Sequence, residues 1–132
     1  MDWATAAFAY NLWDETLSHS RAALEMAQAA ANVYLEIDPR FWVAEILIRR
    51  GRLSEARELA MSSLRIAETL RDPVSMSGVQ MQLAELYYNL GDWEGCRASA
   101  RRILESPAFL GLGQAHNASF LVELLTGNLE EA

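Results

Sequence analysis

Apolar and small residues recur along this chain with a period near 40 positions. In each copy of the pattern, a residue that tolerates positive φ is followed by a large apolar residue two positions later and by a small one five positions later. The copies begin at Asn11, Gly51, Gly91 and Gly127, so the intervals are 40, 40 and 36 residues. The large residues are Trp13, Leu53, Trp93 and Leu129, and the small residues are Thr16, Ala56, Cys96 and Ala132. Self-similarity at such a period indicates a repeat protein.

Each copy predicts a tight turn between two helices. The residue with positive φ ends the first helix, the large residue fills the turn, and the small residue lets the second helix approach the first. Asp92 is a good N-cap for that second helix, whereas Leu12 and Arg52 are poor ones. Equivalent positions outside the turn are also mostly small or apolar. They are Ala4, Ala44, Ala84 and Phe120 seven before the turn residue, Ala7, Leu47, Tyr87 and Glu123 four before it, and Ser20, Ala60 and Ala100 nine after it.

The pattern predicts an all-α chain of about seven helices without strands. The expected helices are 2–10, 14 to the low thirties, one ending at 50, 54–71, 73–90, 93–105 and 107–126. Pro73 and Pro107 each follow a capping residue, as is typical of a helix start. The third helix has two candidate starts, because the repeat register favours Val33 whereas the Asp-Pro pair before it favours Pro39.

The chain resembles the tetratricopeptide repeat family in the runs AEILIRRGRLSEA at 44–56, AELYYNLGDWE at 84–94 and LTGNLEEA at 125–132. The resemblance implies one domain over 1–132, a right-handed α-solenoid of antiparallel helix pairs. Its repeats are expected at 1–32, 33–72, 73–106 and a truncated 107–132. The family's usual period is about 34 residues. The longer period here resembles the variant in regulatory regions of bacterial signalling proteins, such as LuxR-type activators and class III nucleotide cyclases.

In this family the first helix of each pair lines a concave groove that binds a partner. By register, the resemblance assigns that groove to Phe41, Glu45, Ile48, Arg49, Met81, Glu85, Tyr88, Asn89, Asn117, Leu121 and Leu124, with Thr5, Phe8 and Ala9 in the first pair. Glu45 and Glu85 disfavour the terminal carboxylate that chaperone-binding members clamp, so a ligand with an apolar anchor and a basic side chain fits better. The alternative is that these apolar positions only pack against neighbouring helices.

No group of residues in the sequence is typical of a catalytic or metal site. His19 and His116 lie on different predicted helices without further ligands at metal-binding spacing. Cys96 occupies a small packing position, which predicts an inert, buried thiol. Gly111 and Gly113 lack the context of a phosphate-binding loop. We therefore expect no enzymatic activity, no cofactor and no metal.

Two groups of arginines are predicted to be solvated and paired. Arg97 and Arg101 share a helix face and are spaced to pair with Glu94 and Glu105. A docking site for an acidic segment is the alternative, for this group and for the one around Arg49.

Charge and hydropathy exclude several kinds of partner and location. The net charge of −7 argues against nucleic acid and against an anionic membrane surface. The sequence contains no run of about 18 apolar residues and no secretory signal, and it has a single cysteine, so a cytoplasmic location is expected. Eleven arginines without a lysine suggest the codon bias of a GC-rich bacterium.

The leading functional hypothesis is a protein–protein interaction module that binds a peptide or a partner domain. One alternative is a regulatory sensor segment that binds a small ligand or inhibits an attached effector in cis. The other is self-association. The chain ends in the first turn of an expected helix, which suggests a segment of a larger protein and would leave the last complete helix exposed for dimerisation. The apolar face of that helix comprises Phe120, Leu121, Leu124 and Leu125.

Overall fold

The computed structural model describes residues 11–105 and residue 123, and this part of the chain is all helical. The elements are α1 (Trp13–Ala29), a 3-10 helix (Val33–Glu36), α2 (Ile37–Arg49), α3 (Leu53–Leu70), α4 (Pro73–Leu90) and α5 (Trp93–Leu104). The all-α class is thus confirmed over the described residues, which contain no strand. The helices predicted at 2–10 and 107–126 lie outside them.

The chain divides into two compact units, Met1–Leu70 and Arg71–Ala132. In the first unit α1 packs on α2 and α2 packs on α3, while the 3-10 helix contacts all three. In the second unit α4 packs on α5. The division falls close to the repeat boundary that the sequence predicts after residue 72.

Residues with a left-handed backbone recur at a constant interval, which is half the period of the sequence pattern. They are Asn11 (φ 59°), Ala31 (φ 51°), Gly51 (φ 72°), Arg71 (φ 53°) and Gly91 (φ 72°). Three of the four predicted turn residues therefore have the positive φ that the pattern requires, and the fourth, at position 127, lies outside the described residues. The two turns midway between them do not use glycine, although a β carbon makes this conformation cost about 1 kcal/mol or more.

Three of these turns are closed by the same pair of backbone hydrogen bonds. At Gly51, its N–H donates to the Ile48 carbonyl (3.0 Å), and the Arg52 N–H donates to the Leu47 carbonyl (2.9 Å). This is the Schellman arrangement, which satisfies the last carbonyls of a helix. At the turn of Ala31, the N–H groups of Ala31 and Asn32 donate to the carbonyls of Gln28 (3.0 Å) and Ala27 (3.1 Å). At the turn of Gly91, the N–H groups of Gly91 and Asp92 donate to the carbonyls of Tyr88 (3.0 Å) and Tyr87 (2.9 Å). The period of the sequence is therefore also a period of the backbone.

The small positions of the pattern are buried wherever the structure describes them. Their side chains are at most 2% exposed. They are Thr16, Ala56 and Cys96, then Ser20, Ala60 and Ala100, and also Ala44 and Ala84. A small side chain at each position permits the close approach that the sequence predicts.

Both candidate starts of the third predicted helix contribute to the observed structure. The Asn32 side chain accepts a hydrogen bond from the Leu35 N–H (3.4 Å) and so caps the 3-10 helix. The α-helix itself begins at Ile37, with Pro39 in its first turn, where a missing N–H leaves no helical bond unmade. The preceding helix ends at Ala29 rather than in the low thirties, because the left-handed turn follows at Ala31.

The start of α4 follows the predicted capping signal. The Asp72 carboxylate accepts hydrogen bonds from the Val74 N–H (3.1 Å) and the Ser75 N–H (3.3 Å), and Pro73 takes the first helical position. The Ser75 hydroxyl donates to the second carboxylate oxygen (2.5 Å). These bonds, the Ser75 hydroxyl foremost, lower the pKa of Asp72 below its ordinary value of 3.8.

We predict that Asp72→Ala destabilises the protein by about 1 kcal/mol at neutral pH, because two backbone donors lose their partner. Because the folded-state pKa of Asp72 is lowered, the ionised cap stabilises fully above the ordinary, unfolded-state pKa of 3.8, and this contribution is lost as the pH falls through the lower folded-state pKa. Urea unfolding of both proteins from pH 7 to pH 3 measures this. The difference in unfolding free energy between the wild type and Asp72→Ala should shrink at acid pH. In a Ser75→Ala background this difference should depend less steeply on pH. An equal difference at pH 7 and pH 3 would contradict it.

Candidate functional site

The predicted groove residues on α2, in the first unit, are largely covered. Glu45 and Ile48 are buried, and Phe41 is half-buried with its ring edge-to-face on Trp42 at a centroid distance of 5.4 Å. Arg49 is exposed, and its Nη2 lies 3.4 Å from a carboxylate oxygen of Glu45 one turn earlier. Arg49 is thus the most accessible of the predicted groove residues on α2.

In the second unit, the predicted residues on α4 divide between the core and the surface. Tyr88 and Asn89 are exposed, and Glu85 is half-buried. The Asn89 amide donates to the Glu85 backbone carbonyl at 2.8 Å. Met81 packs, together with Tyr87, against the core between α4 and α5. That core contains Ala84, Cys96 and Ala100.

The remaining groove positions of the prediction lie outside the described residues. They are Asn117, Leu121 and Leu124, with Thr5, Phe8 and Ala9 of the first predicted pair.

An exposed aromatic pair marks the turn between α4 and α5. The ring centroids of Tyr88 and Trp93 are 5.7 Å apart, and the ring planes meet at 55°. Their exposed fractions are 37% and 39%. This separation and tilt lie in the range that aromatic pairs favour. The sequence assigned Trp93 only to filling the turn, and it gave no indication that this residue is exposed.

The backbone of the turn holds the two rings together. Gly91 is left-handed and reverses the chain, and the Asp92 carboxylate then accepts a hydrogen bond from the Gly95 N–H at 2.9 Å. This cap places Trp93 at the first position of α5. A β carbon on Gly95 would lie 2.6 Å from Asp92 Oδ2 and 3.0 Å from Tyr87 Cγ. A larger residue there would displace the Asp92 cap or the Tyr87 ring, so glycine suits this position.

A sequence signal for this pair does exist. The residues three before and two after the turn residue are apolar in all four copies, and they form the pairs Phe8 and Trp13, Ile48 and Leu53, Tyr88 and Trp93, and Leu124 and Leu129. In the second copy Ile48 is buried and Leu53 is half-buried. An aliphatic pair therefore suffices to fill the turn, and two exposed aromatic rings are more than the turn requires.

Carboxylates flank the aromatic pair along the chain. Glu85 precedes Tyr88 by one helical turn, and Asp92 and Glu94 are the exposed neighbours of Trp93 on either side. Carboxylates that neighbour exposed aromatic residues along the chain favour a cationic ligand over an anionic one.

Arg97 of α5 has a partner that the sequence did not indicate. Its guanidinium donates two hydrogen bonds to Glu123, with Nε–Oε1 at 3.0 Å and Nη2–Oε2 at 3.5 Å, and this carboxylate raises the pKa of Arg97. Glu123 is buried at a position where other copies of the pattern have an apolar or small residue. The ion pair explains how the Glu123 carboxylate is accommodated at this position. The sequence predicts a different partner for Arg97, the nearby Glu94.

A second exposed apolar segment lies in the first unit and was not singled out from the sequence. Val33, Tyr34 and Leu35 of the 3-10 helix are about half exposed, and Met26 near the end of α1 is 73% exposed. Tyr34 is thus an exposed tyrosine in a different unit from Tyr88, which makes it a useful control position.

Other kinds of site were sought in the described part of the chain. Over residues 11–105 and 123, no three His, Cys, Asp or Glu side chains are grouped so that they could hold a metal ion. Within the same residues, no helix combines the length and the apolar character needed to cross a membrane.

The thiol of Cys96 should be chemically silent in the folded protein. Cys96 is 2% exposed, and burial raises its pKa to about 11. At pH 8 the thiolate fraction is then about 10²-fold smaller than for a free cysteine. We predict that Ellman's reagent reacts at least about 10²-fold more slowly with the native protein than with the urea-unfolded one. Since this is the only cysteine, the signal is unambiguous, and similar rates in both states would contradict its burial.

No protein-family model, curated protein or solved structure matches this chain. The described residues define an all-helical protein whose left-handed turns recur at a constant interval and whose second unit presents an aromatic pair at one turn.

Proposed function

We propose that this chain is a protein–protein interaction module of the tetratricopeptide repeat type, which binds a peptide or a partner domain. The observation that carries the proposal is the recurrence of left-handed turn residues at 11, 31, 51, 71 and 91. Each period of two turns makes one helix pair, and arrays of such pairs generally serve as extended binding surfaces.

In this proposal the helix pairs stack as a right-handed α-solenoid of about seven helices. The buried small residues support it, because their repetition gives successive pairs equivalent packing surfaces. The longer-than-usual period supports a role within a larger bacterial signalling protein, as the sequence resemblance implies.

The partner surface that we propose centres on the turn between α4 and α5. Tyr88, Asn89 and Trp93 are exposed there. Tyrosine and tryptophan are the side chains that most often dominate binding energy at protein interfaces, since they bury a large area at a small entropic cost. The neighbouring amide supplies a hydrogen-bonding group beside the aromatic surface.

Peptide selection tests the proposal directly. The full 132-residue chain is immobilised and panned against a displayed library of random dodecapeptides. We expect enrichment of peptides that bind with dissociation constants of about 1–100 μM by calorimetry, or about 5–8 kcal/mol. Addition of such a peptide should move the amide NMR signals of Tyr88 and Asn89. A selection that enriches nothing beyond the blocked support would contradict the proposed function.

A further inference from the structure

We propose that Tyr88 and Trp93 form a binding site for a cationic side chain, an arginine or a lysine, of the partner peptide. This inference rests on the proposed function and specifies its ligand. It follows from the geometry of the rings, from their comparison with the preceding repeat and from the charges around them.

The two rings lie next to each other at the surface of the turn. Their centroids are 5.7 Å apart and their planes meet at 55°. A cation is attracted to an aromatic face within about 6 Å of the ring centroid, and two rings at this separation offer a guanidinium or ammonium group adjacent aromatic surfaces. Each residue also retains more than a third of its exposure, so neither is buried.

A comparison with the preceding repeat shows which properties of Tyr88 and Trp93 the turn itself needs. Ile48 and Leu53 hold the equivalent positions around Gly51, whose turn has the same hydrogen bonds and the same φ of 72° as the turn at Gly91. That turn is therefore built without an aromatic side chain. Tyr88 and Trp93 are aromatic and exposed, although the turn requires neither property. A binding site for a cation requires both.

The charges around the pair select a basic partner over an acidic one and over a second copy of the chain. Glu85, Asp92 and Glu94 flank the rings along the chain. The nearest basic residue on α5, Arg97, lies one turn after Trp93 and is paired with Glu123 at 3.0 Å, so its charge is balanced by a carboxylate. The whole chain carries a net charge of −7. A second copy would bring the same charge and be repelled, whereas a basic peptide would be attracted.

The test uses a double variant that removes the aromatic rings and keeps the turn. Tyr88→Ile with Trp93→Leu copies the pair at Ile48 and Leu53, so folding should be preserved, which circular dichroism verifies. Peptides from the selection should be enriched in arginine or lysine. These peptides should bind the double variant about 10-fold more weakly than the wild type, which is within the range of cation–π energies. Replacing the arginine of a selected peptide by citrulline, which is uncharged, should weaken its binding to the wild type by a similar factor.

Two further variants define the control and the rescue. Tyr34→Ile removes an exposed tyrosine of the other unit and should change affinity less than about 2-fold, within the range of a neutral surface substitution. Trp93→Phe keeps an aromatic face and should retain affinity within about 3-fold, because phenylalanine is only a weaker cation-binding ring.

The outcomes separate this inference from the proposed function. Selected peptides that bind the double variant as tightly as the wild type, or that tolerate citrulline without loss, would overturn the cationic site and leave the interaction module standing. A selection that yields no binding peptide would overturn the proposed function and this inference together.

Discussion

Replacing Gly91 by alanine should destabilise the protein by about 1–2 kcal/mol, whereas the same replacement at Gly78 should stabilise it by about 0.5–1 kcal/mol. Gly91 has a φ of 72°, and Gly78 lies within α4. A β carbon at either position meets no atom within 4 Å. The opposite signs therefore arise from the backbone alone, since alanine resists the left-handed conformation and favours the helical one.

Urea unfolding of the two variants and the wild type measures this pair of effects. Both changes add the same methyl group to the same part of the chain, so their influence on the unfolded state is similar and largely cancels in the comparison. Destabilisation of similar size in both variants would show that the left-handed turn at Gly91 is not what ends α4.

Replacing Ala100 by leucine should destabilise the protein by about 1–3 kcal/mol, because the added carbons must enter a packed core. Ala100 is 2% exposed and packs with Ala84 and Cys96 between α4 and α5. Ala98 lies two residues earlier on the same helix and is exposed. Ala98→Leu should change stability by less than about 0.5 kcal/mol, as is usual for an exposed site.

Thermal unfolding followed by circular dichroism compares the two leucine variants under the same conditions. Alanine and leucine have similar helix propensities, so packing accounts for the difference between the sites. An Ala100→Leu variant as stable as Ala98→Leu would mean that α4 and α5 do not approach as closely at this position as the repeat pattern requires.

Local signals in the sequence were sufficient for most of the turns. Asn11, Gly51 and Gly91 were predicted from their tolerance of positive φ, and Asp72 and Asp92 from their capping side chains, because each acts within a few residues of itself. Ala31 and Arg71 were not predicted as turn residues. Alanine and arginine rarely adopt positive φ, whereas glycine and asparagine do so more often, so the residue type gives no indication of these two turns.

Features that depend on contacts between distant residues could not be predicted from the sequence. The period predicts that position 93 fills a turn, but the exposure of the indole depends on what neighbouring elements leave uncovered. The same holds for Glu45, which was expected in a groove and is buried. The pairing of Arg97 with Glu123 joins residues 26 positions apart, and helical spacing can indicate only partners three or four residues away.

The regular recurrence of left-handed turns underlies every proposal made for this chain. Backbone ¹³C chemical shifts of the full chain report φ and ψ at each residue and test this directly. The structure predicts left-handed values at 11, 31, 51, 71 and 91, with helical values through α1 to α5 between them. Helical shifts continuing through residue 31 or residue 71 would contradict the repeat and, with it, the proposal of a binding array.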